Sequence, residues 1–566
     1  MKKIVVLILL LTGITGAAFY YAAQRFTPPA GRSEYYADYL PADTLAVITL
    51  LDLKGLSRAF PESALGNFFA KQTVREIMAE QGATEEAVQR YEEFYDGAAD
   101  LFDNSILQQL FGDDATIAQL SPDLAQLKAN PEAEQRQRLI AFGTSATAAS
   151  VDSIARLTMS EVSKETVNGL ELTRIRLDDE EFLYGTVRAG VIILAYNPEL
   201  IAAALKQKES GGGLEAHPFF IAAKKFWAES TPDRYLAKFY ANTDKLRSFF
   251  AASEQKELKL AATYMQGFNS LSGLAFEHQG NFQLKTKVEY NAAALHESVR
   301  QRQKKLRSSQ NLSLHLLTET ALFYGWFSGL DENLLSFIDP AELEAMDVAV
   351  RQQFGFSIKG IIAALGPQIG LTIGEVVSTG LFPLPKVTLF AQIQQPETTQ
   401  QLVDKTRKII SAAQRFAKEK ITEVGGHSLY YWNLMPAQVA HPALALTNKM
   451  LYFANGESYL KSLIVAEEQD GLPQAMRDLL GAKLSTQIST ANASAFVLRP
   501  ALFSVEAQKA ANWAAPAFSA SVNTSAEKLR AELFKLMQSL DLAAGWSRTE
   551  KDHAISLLVL RKKAVQ

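Results

Sequence analysis

The sequence predicts an α+β fold, in which a mainly antiparallel sheet packed with helices occurs twice in tandem behind one N-terminal transmembrane helix. Three observations predict this fold class. The chain opens with a long uncharged segment, its later strands are joined by turns too short for parallel crossovers, and several segments recur in the same order in the second half. The recurring segments are separated by 248 residues for Arg138 and Lys386 and by 276 residues for Leu40 and Leu316.

The composition suits two or three globular domains with ordinary cores. The chain has 566 residues, of which 48% are hydrophobic and 21% are charged, and its formal net charge is −4. A mixed surface with this small charge does not favour nucleic acid as a partner. The absence of cysteine excludes disulfides, thiol nucleophiles, thiolate metal sites and the acylation of a lipoprotein.

Residues 1–38 are predicted to form a signal anchor and a linker. The segment Ile4–Ala23 contains no charge over 20 residues and would span about 30 Å as a helix, the thickness of a hydrocarbon core. Lys2 and Lys3 favour a cytoplasmic N-terminus, so the bulk of the chain would lie on the outer side of the membrane. A signal peptide cleaved near Gly16-Ala17-Ala18 and a buried N-terminal helix are the alternatives.

Residues 39–296 are predicted to form the first α+β repeat. A strand near Leu45–Leu51 is followed by a mostly helical region, in which Thr73-Val-Arg-Glu76 fits a capping box and Thr84 begins another helix. Ala189-Gly190 is a predicted hairpin turn. Further strands are predicted at Arg138–Phe142, Leu170–Leu177, Glu181–Val187, Val191–Tyr196, Tyr235–Tyr240, Gly273–Glu277 and Gln283–Tyr290, and further helices at Val151–Leu157 and Thr243–Met265.

Residues 313–566 are predicted to form the second α+β repeat. The opening Leu40–Leu56 has its counterpart in Leu316–Leu330. One such match arises easily by chance, whereas six matches in one order predict a duplication. The other five pairs are Phe111–Ala118 with Leu365–Thr372, Arg138–Phe142 with Lys386–Ile393, Gly169–Ile175 with Gly426–Trp432, Val191–Ile201 with Met450–Leu460, and Leu236–Phe239 with Ala495–Leu498.

Residues 297–312 are predicted to be a basic connector between the two repeats. Two interpretations are open for this segment. It is either a solvated helix end or linker, or a contact with anionic lipid. Its five cationic side chains are Arg300, Arg302, Lys304, Lys305 and Arg307.

No residue spacing in the sequence predicts a metal site. None of the seven histidines lies three or four residues from another, and Arg300 stands where a zinc-protease motif starting at His296-Glu297 would need its second histidine. Asp113-Asp114 and Asp178–Glu181 could bind a hard cation such as calcium. Pro367-Gln368 replaces the first pair in the second repeat, which favours ordinary turns instead. We therefore predict no metal and no cofactor.

The sequence also lacks the motifs of common nucleophilic enzymes. It contains no Gly-x-Ser-x-Gly nucleophile elbow. Ser253, Ser458 and Ser525 each precede a lysine by three residues, but the companion motifs of penicillin-binding enzymes are missing. Gly211–Gly213 has no preceding strand and no following Gly-Lys-Ser/Thr, so it is a flexible turn rather than a phosphate-binding loop. We predict no catalytic residue and a protein that is not an enzyme.

Two groups of aromatic residues stand out in the second repeat. Phe323, Tyr324, Trp326 and Phe327 form the first group, and Tyr430–Trp432 form the second. Packing in a core is one interpretation. Because side chains alternate between the faces of a strand, the other interpretation gives one face to a hydrophobic cavity or a partner surface.

Short motifs resemble those of a known bacterial family. The opening Leu40-Pro-Ala-Asp-Thr44 and the strand ends Ala195-Tyr-Asn-Pro198 and Ala454-Asn-Gly456 carry the resemblance. The family is an uncharacterised group of signal-anchored extracytoplasmic proteins, known as a domain of unknown function, whose members often open with Leu-Pro-x-Asp-Thr after a membrane segment. The resemblance covers nearly all of the chain after residue 38 and implies no catalytic or cofactor residue.

Together these observations predict a non-enzymatic protein of the cell envelope. The chain would be anchored in the inner membrane through residues 4–23, with its duplicated region in the periplasm acting as a scaffold or binding an envelope protein. The alternative is a periplasmic carrier of lipid or of another hydrophobic ligand. A deep apolar pocket favours the carrier, and extended exposed apolar surface favours the partner-binding protein.

Overall fold

The computed structural model describes most of the chain after residue 32 and divides it into two compact units. The described residues are 33–51, 55, 60–61, 63–103, 114–144, 161–176, 181–378, 383–413, 418–433, 440–469, 471–518 and 527–563. The first unit comprises 1–296, 525–536 and 552–555, and the second comprises the remaining segments from 297 onward. The boundary after His296 coincides with the predicted one, but two short C-terminal segments belong to the first unit.

The predicted N-terminal span lies outside the described residues. Among the residues that the structure describes, no helix is both long and apolar enough to cross a membrane. The linker prediction for residues 1–38 needs a correction, because Ser33–Tyr39 forms a 3₁₀ helix. Tyr36 and Ala37 are buried in the core of the first unit, and the Tyr36 hydroxyl donates to Asp114 Oδ1 at 2.8 Å.

The first unit contains an antiparallel sheet of ten strands. Their order across the sheet is β4-β5-β6-β7-β3-β2-β1-β8-β9-β10. The α+β class and the mainly antiparallel sheet are thereby confirmed. The strands are β1 Ala46–Leu51, β2 Asp114–Gln119, β3 Leu139–Thr144, β4 Val162–Val167, β5 Leu170–Arg176, β6 Phe182–Arg188, β7 Val191–Ala195, β8 Arg234–Asn242, β9 Phe268–His278 and β10 Asn281–Tyr290.

The strands of the second unit follow the same order. Their order is β14-β15-β16-β17-β13-β12-β11-β18-β19-β20, so each strand takes the place of the strand numbered ten lower. The strands are β11 Phe323–Ser328, β12 Leu365–Ser378, β13 Pro383–Ile393, β14 Glu419–Val424, β15 His427–Trp432, β16 Ala443–Leu446, β17 Met450–Ala454, β18 Ser494–Leu498, β19 Leu540–Thr549 and β20 His553–Lys562, of which residues 556–562 belong to this unit.

Helices follow corresponding strands in both units. The predicted connector, 297–312, begins with the helix Glu297–Arg307, which belongs to the second unit. The helices are α1 Ala64–Phe68, α2 Lys71–Glu80, α3 Glu85–Asp103, α4 Leu124–Ala129, α5 Pro131–Gln137, α6 Pro198–Ser210, α7 Pro218–Ala228, α8 Thr243–Ala252, α9 Lys256–Tyr264, α10 Glu297–Arg307, α11 Pro340–Phe354, α12 Ile358–Ala364, α13 Pro396–Ala413, α14 Glu457–Glu467, α15 Gln474–Leu480, α16 Ala482–Ser489, α17 Pro500–Phe518 and α18 Glu527–Gln538.

Local capping residues set several of these helix starts. Thr84 accepts a hydrogen bond from the Ala87 N–H at 3.3 Å, which confirms the predicted start of α3. The predicted capping box at Thr73 is wrong, because α2 already begins at Lys71 and Thr73 lies within its first turn. The region 145–160, which includes the predicted helix Val151–Leu157, lies outside the described residues.

Each sheet buries one face under helices. In the first unit, Ile201 of α6 and Phe226 of α7 join Phe142 of β3 in the core. In the second unit, Leu460 of α14 and Ile488 of α16 join the core residues Tyr324, Trp326 and Tyr452. Burying such large apolar side chains contributes roughly 1.5–3 kcal/mol each. The opposite face of the second sheet carries the feature described next.

Candidate ligand-binding groove

The strand β11 presents aromatic side chains to both faces of the second sheet. Tyr324 and Trp326 point into the core and are almost completely buried. Phe323, Gly325 and Phe327 alternate with them and therefore belong to the other face. Both predicted interpretations of this aromatic group thus apply, one to each face. We call the second face the open face of the sheet.

A glycine lies at the middle of the open face. Gly325 pairs with Leu371 of β12 on one side and with Phe496 of β18 on the other. Leu371 in turn pairs with Leu389 of β13, and Phe496 pairs with Gly545 of β19. The row therefore has large apolar side chains on both sides of Gly325, and the Phe323 ring lies 2.8 Å from the place that a Cβ would take there. A depression lies among these side chains over β11.

This depression is an apolar groove of about 610 Å³ that opens to solvent. Leu389 forms part of its wall and remains 50% exposed, which is unusual for a large apolar side chain in the middle of a sheet. The volume lies within the range of roughly 300–1,000 Å³ that small-molecule sites occupy. The groove is lined by Phe323, Gly325, Trp326, Phe327, Ile369, Gly370, Leu371, Leu389, Phe390, Ser494, Ala495 and Phe496.

The first unit carries a different residue at the place of Gly325. In both sheets a phenylalanine ring covers a glycine on the neighbouring strand, as Phe239 covers Gly273 and Phe496 covers Gly545. With these pairs aligned, Ile48 of β1 occupies the position of Gly325. The Ile48 side chain therefore stands in the first unit where the Phe323 ring lies over Gly325 in the second.

The strand register corrects one of the predicted segment matches. Leu236–Phe239 was matched with Ala495–Leu498, which would align Phe239 with Leu498. Pairing instead aligns Phe239 with Phe496, because each lies opposite the glycine that its ring covers. The predicted match is displaced by two residues. Because side chains alternate between the two faces of a strand, a shift of two residues keeps each side chain on the same face and leaves the apolar pattern unchanged.

The two ends of the groove differ in polarity. At the end of β11 near residue 327, Phe327 pairs with Ser494, which pairs with Ser547, and the two serine hydroxyls are 2.6 Å apart. The guanidinium of Arg302, in α10, lies over the Phe327 ring, 5.2 Å from its centroid. At the other end, Phe323 pairs only with apolar residues of the neighbouring strands, namely Ile373 and Leu498.

The second aromatic group, Tyr430–Trp432, packs within the second unit and does not line the groove. Trp432 is fully buried, and its indole N–H donates to Ser411 Oγ at 3.1 Å. The Arg407 guanidinium lies 3.8 Å from the centroid of the Tyr430 ring, while the Tyr431 ring stacks on His441. These contacts attach α13 and the loop before β16 to β15.

Two buried polar networks in the second unit also have structural explanations. His441 Nδ1 lies 3.2 Å from Glu457 Oε2, whose other oxygen accepts from Lys461 Nζ at 2.5 Å. The Tyr452 hydroxyl donates to Glu467 Oε2 at 2.9 Å, and burial raises the pKa of Tyr452 above its ordinary value. Each network satisfies polar atoms beneath the sheet, away from the groove.

The structure describes only some residues of the two acidic segments that were predicted as possible cation sites. Asp114 is buried and accepts from Tyr36 and from Thr144, so it serves as a structural acceptor. Glu181 forms an ion pair with Arg136, while Asp113 and residues 178–180 lie outside the described part of the chain. Among the residues described, no cluster of three or more carboxylate or histidine side chains could hold a metal ion.

Comparison with known proteins gives no family. No family model matches the chain, and no curated protein matches it. Three solved structures, crystal forms I, III and IV of TP0453, are similar at 9% identity with TM-scores of 0.24–0.25. The alignments cover 45–48% of this chain and 79–86% of TP0453. Such TM-scores are below the level that shows a shared fold, and the resemblance to the signal-anchored family stays a prediction.

Proposed function

We propose that the protein is a non-enzymatic binding protein that holds an apolar chain in the groove of its second unit. The groove carries this proposal, since it combines a suitable volume with a lining of apolar side chains. Ser494 is a polar side chain of the lining, and its hydroxyl is engaged with Ser547. Such a lining favours retention of a hydrophobic ligand rather than its chemical conversion.

The shape of the groove supports one extended chain rather than a globular partner. It extends over β11 and its neighbours β12 and β18 and reaches Leu389 of β13, and its volume of about 610 Å³ suits one extended chain. Phe453 of β17 is 39% exposed and pairs with Leu389, so it extends the apolar surface beside the groove, whereas Met346, Ile421 and Val465 lie on separate elements. Scattered residues of this kind are ordinary on protein surfaces, so the scaffold interpretation has less support.

Photocrosslinking of the full-length protein, held in amphipol, tests the proposal. The probe is hexadecanol that carries a diazirine in its chain, and the labelled peptides are identified by mass spectrometry. We expect labels concentrated in the strands β11, β12, β13 and β18. Labelling spread evenly over the surface of the protein would contradict the proposal.

Leu389→Glu is the variant that tests the site most directly. A carboxylate on the groove wall should reduce labelling by about tenfold, since a loss of ~1.4 kcal/mol weakens binding tenfold. Ile421→Glu is the matched control, because Ile421 is 59% exposed on β14 of the same unit. The control should label like the unaltered protein, and an equal loss in both variants would exclude the groove as the site.

A second variant fills the groove with residues that the chain itself uses elsewhere. Phe323→Ala with Gly325→Ile reproduces the Ala46 and Ile48 positions of the first unit. The alanine is needed because a Cβ at Gly325 would lie 2.8 Å from the Phe323 ring. This variant should fold and lose the labels, whereas retained labelling would contradict the proposal.

We also propose that the two units arose by tandem duplication and that residues 4–23 tether them to the bacterial inner membrane, on its periplasmic side. The identical strand order of the units supports the duplication. The uncharged run and the two preceding lysines support the tether. Protease accessibility in spheroplasts measures this location.

A further inference from the structure

The polarity of the groove contains information about the head group of its ligand. On the open face, the row of residues at Phe327 continues into Ser494 and Ser547, whereas the row at Phe323 continues into Leu498 and Ala543. A ligand that is apolar along its whole length would gain nothing from the serine end. A ligand with one polar end would satisfy both rows at once.

The two ends of the groove also differ in charge. The Arg302 guanidinium lies over Phe327 at the serine end. Near the other end, the Glu506 carboxylate accepts a hydrogen bond from the Val376 N–H at 3.1 Å, and its other oxygen is paired with Lys509 Nζ at 2.6 Å. An anionic group is therefore attracted to the serine end.

Arg302 has the contacts expected of a residue that can receive an anion. It makes no ion pair with any residue that the structure describes, although Arg300 on the same helix pairs with Glu297. A guanidinium that stacks on an aromatic ring keeps its N–H groups available at the edge of its plane. Those N–H groups match the two oxygens of a carboxylate, which arginine binds in a bidentate manner.

We propose that the ligand of the groove is a long-chain fatty acid, held with its carboxylate at Arg302 and its acyl chain along β11, against the Phe323 ring. This inference rests on the proposed function and adds the head group and the direction of the ligand. The groove volume of about 610 Å³ suits one acyl chain, which favours a free fatty acid over a two-chain phospholipid. The five residues from Phe323 to Phe327, four steps along the strand, span roughly 13 Å of that chain.

Competition between an acid and its ester tests the head group. Full-length protein in amphipol is labelled with the diazirine analogue of hexadecanol, and palmitate or methyl palmitate is added as competitor. We expect palmitate to displace the probe at about tenfold lower concentration than the ester. Equal competition by the two compounds would overturn the fatty acid proposal and leave the apolar groove intact.

Arg302→Gln and Arg300→Gln form a matched pair of variants. Both remove one positive charge from α10, but Arg300 is already paired with Glu297. Arg302→Gln should abolish the preference for palmitate without changing competition by methyl palmitate, and Arg300→Gln should preserve it. Equal effects of the two variants would indicate net charge rather than a carboxylate site and overturn the assignment of Arg302.

The same measurement separates the failure of this inference from the failure of the proposed function. If the probe does not label β11, β12, β13 and β18 in the unaltered protein, the groove itself is not a binding site. If phosphatidylglycerol competes better than palmitate, the ligand is a phospholipid and the fatty acid proposal is wrong.

Discussion

At the scale of single residues, the core of the second unit depends on a buried tyrosine. The Tyr324 hydroxyl lies 2.9 Å from Asn311 Nδ2 and 2.8 Å from Ser313 Oγ. Burial raises the pKa of Tyr324 well above its ordinary value of 10.0, because the phenolate would lose its hydration. In the folded protein, Tyr324 therefore keeps its hydroxyl proton and takes part in hydrogen bonds.

Tyr324→Phe should destabilise the second unit in a pH-dependent way. At pH 8 the variant leaves Asn311 and Ser313 without this partner, which costs ~1–3 kcal/mol of the free energy of unfolding. Above pH 10 the unfolded tyrosine ionises while the folded one keeps its proton, so the unaltered protein loses stability and the variant does not. The deficit should shrink by about 1.4 kcal/mol at pH 11.

Denaturant unfolding at pH 8 and at pH 11 checks this expectation. The fluorescence of the second unit reports the transition, since Trp326 lies in the same core. A deficit of equal size at both pH values would mean that Tyr324 does not retain its proton in the folded state.

At the scale of elements, type I′ turns fix the register of the short hairpins. Asn168 and Gly169 connect β4 to β5 with φ values of 51° and 77°, and Gly425 and Gly426 connect β14 to β15 in the same way. Positive φ at both central residues matches the right-handed twist of the flanking strands. Ala189, with φ 50°, is an exception, because alanine is strained in this region.

Ala189→Asn should therefore stabilise the first unit. Asparagine tolerates the left-handed region better than alanine, so we expect a gain of ~0.5–1 kcal/mol in the free energy of unfolding. The reciprocal substitution Asn168→Ala, in the equivalent turn position of the first hairpin, should lower it by a similar amount. Thermal unfolding at neutral pH measures both, and a shift of both midpoints in one direction would contradict the explanation.

At the scale of the whole molecule, the repeated strand order shows how one topology supports two surfaces. The two sheets use the same pairings, yet Ile48 stands where the second unit has Gly325 under the Phe323 ring. A duplicated fold can carry different side chains at one position in its two copies. The proposed binding function therefore concerns the second unit.

The proposed location is a property of the whole chain and has its own prediction. In bacterial spheroplasts, external protease should digest a C-terminal epitope tag, and the untreated protein should stay in the membrane fraction after carbonate extraction. Ile14→Arg should weaken this retention, because an arginine near the middle of a span costs about 2.5–3.5 kcal/mol on insertion. A soluble product that begins after Ala18 would indicate a cleaved signal peptide instead.

Much of the fold could be predicted from local sequence patterns. Alternating apolar residues placed most of the strands, and the Ala189-Gly190 dipeptide placed a hairpin turn that the structure contains. These features depend on residues adjacent in the chain. Capping at Thr73 failed because Thr-x-x-Glu also occurs within helices, so the motif alone does not fix where a helix begins.

The sequence by itself determined the class of fold, the composition of each strand and the aromatic character of β11. Only the tertiary structure decided that Leu371, Leu389 and Phe496 meet around Gly325, and that Arg302 lies over Phe327. The physical reason is distance along the chain. A strand's alternation is encoded within a few residues, whereas a groove requires the register of four strands that are far apart in sequence.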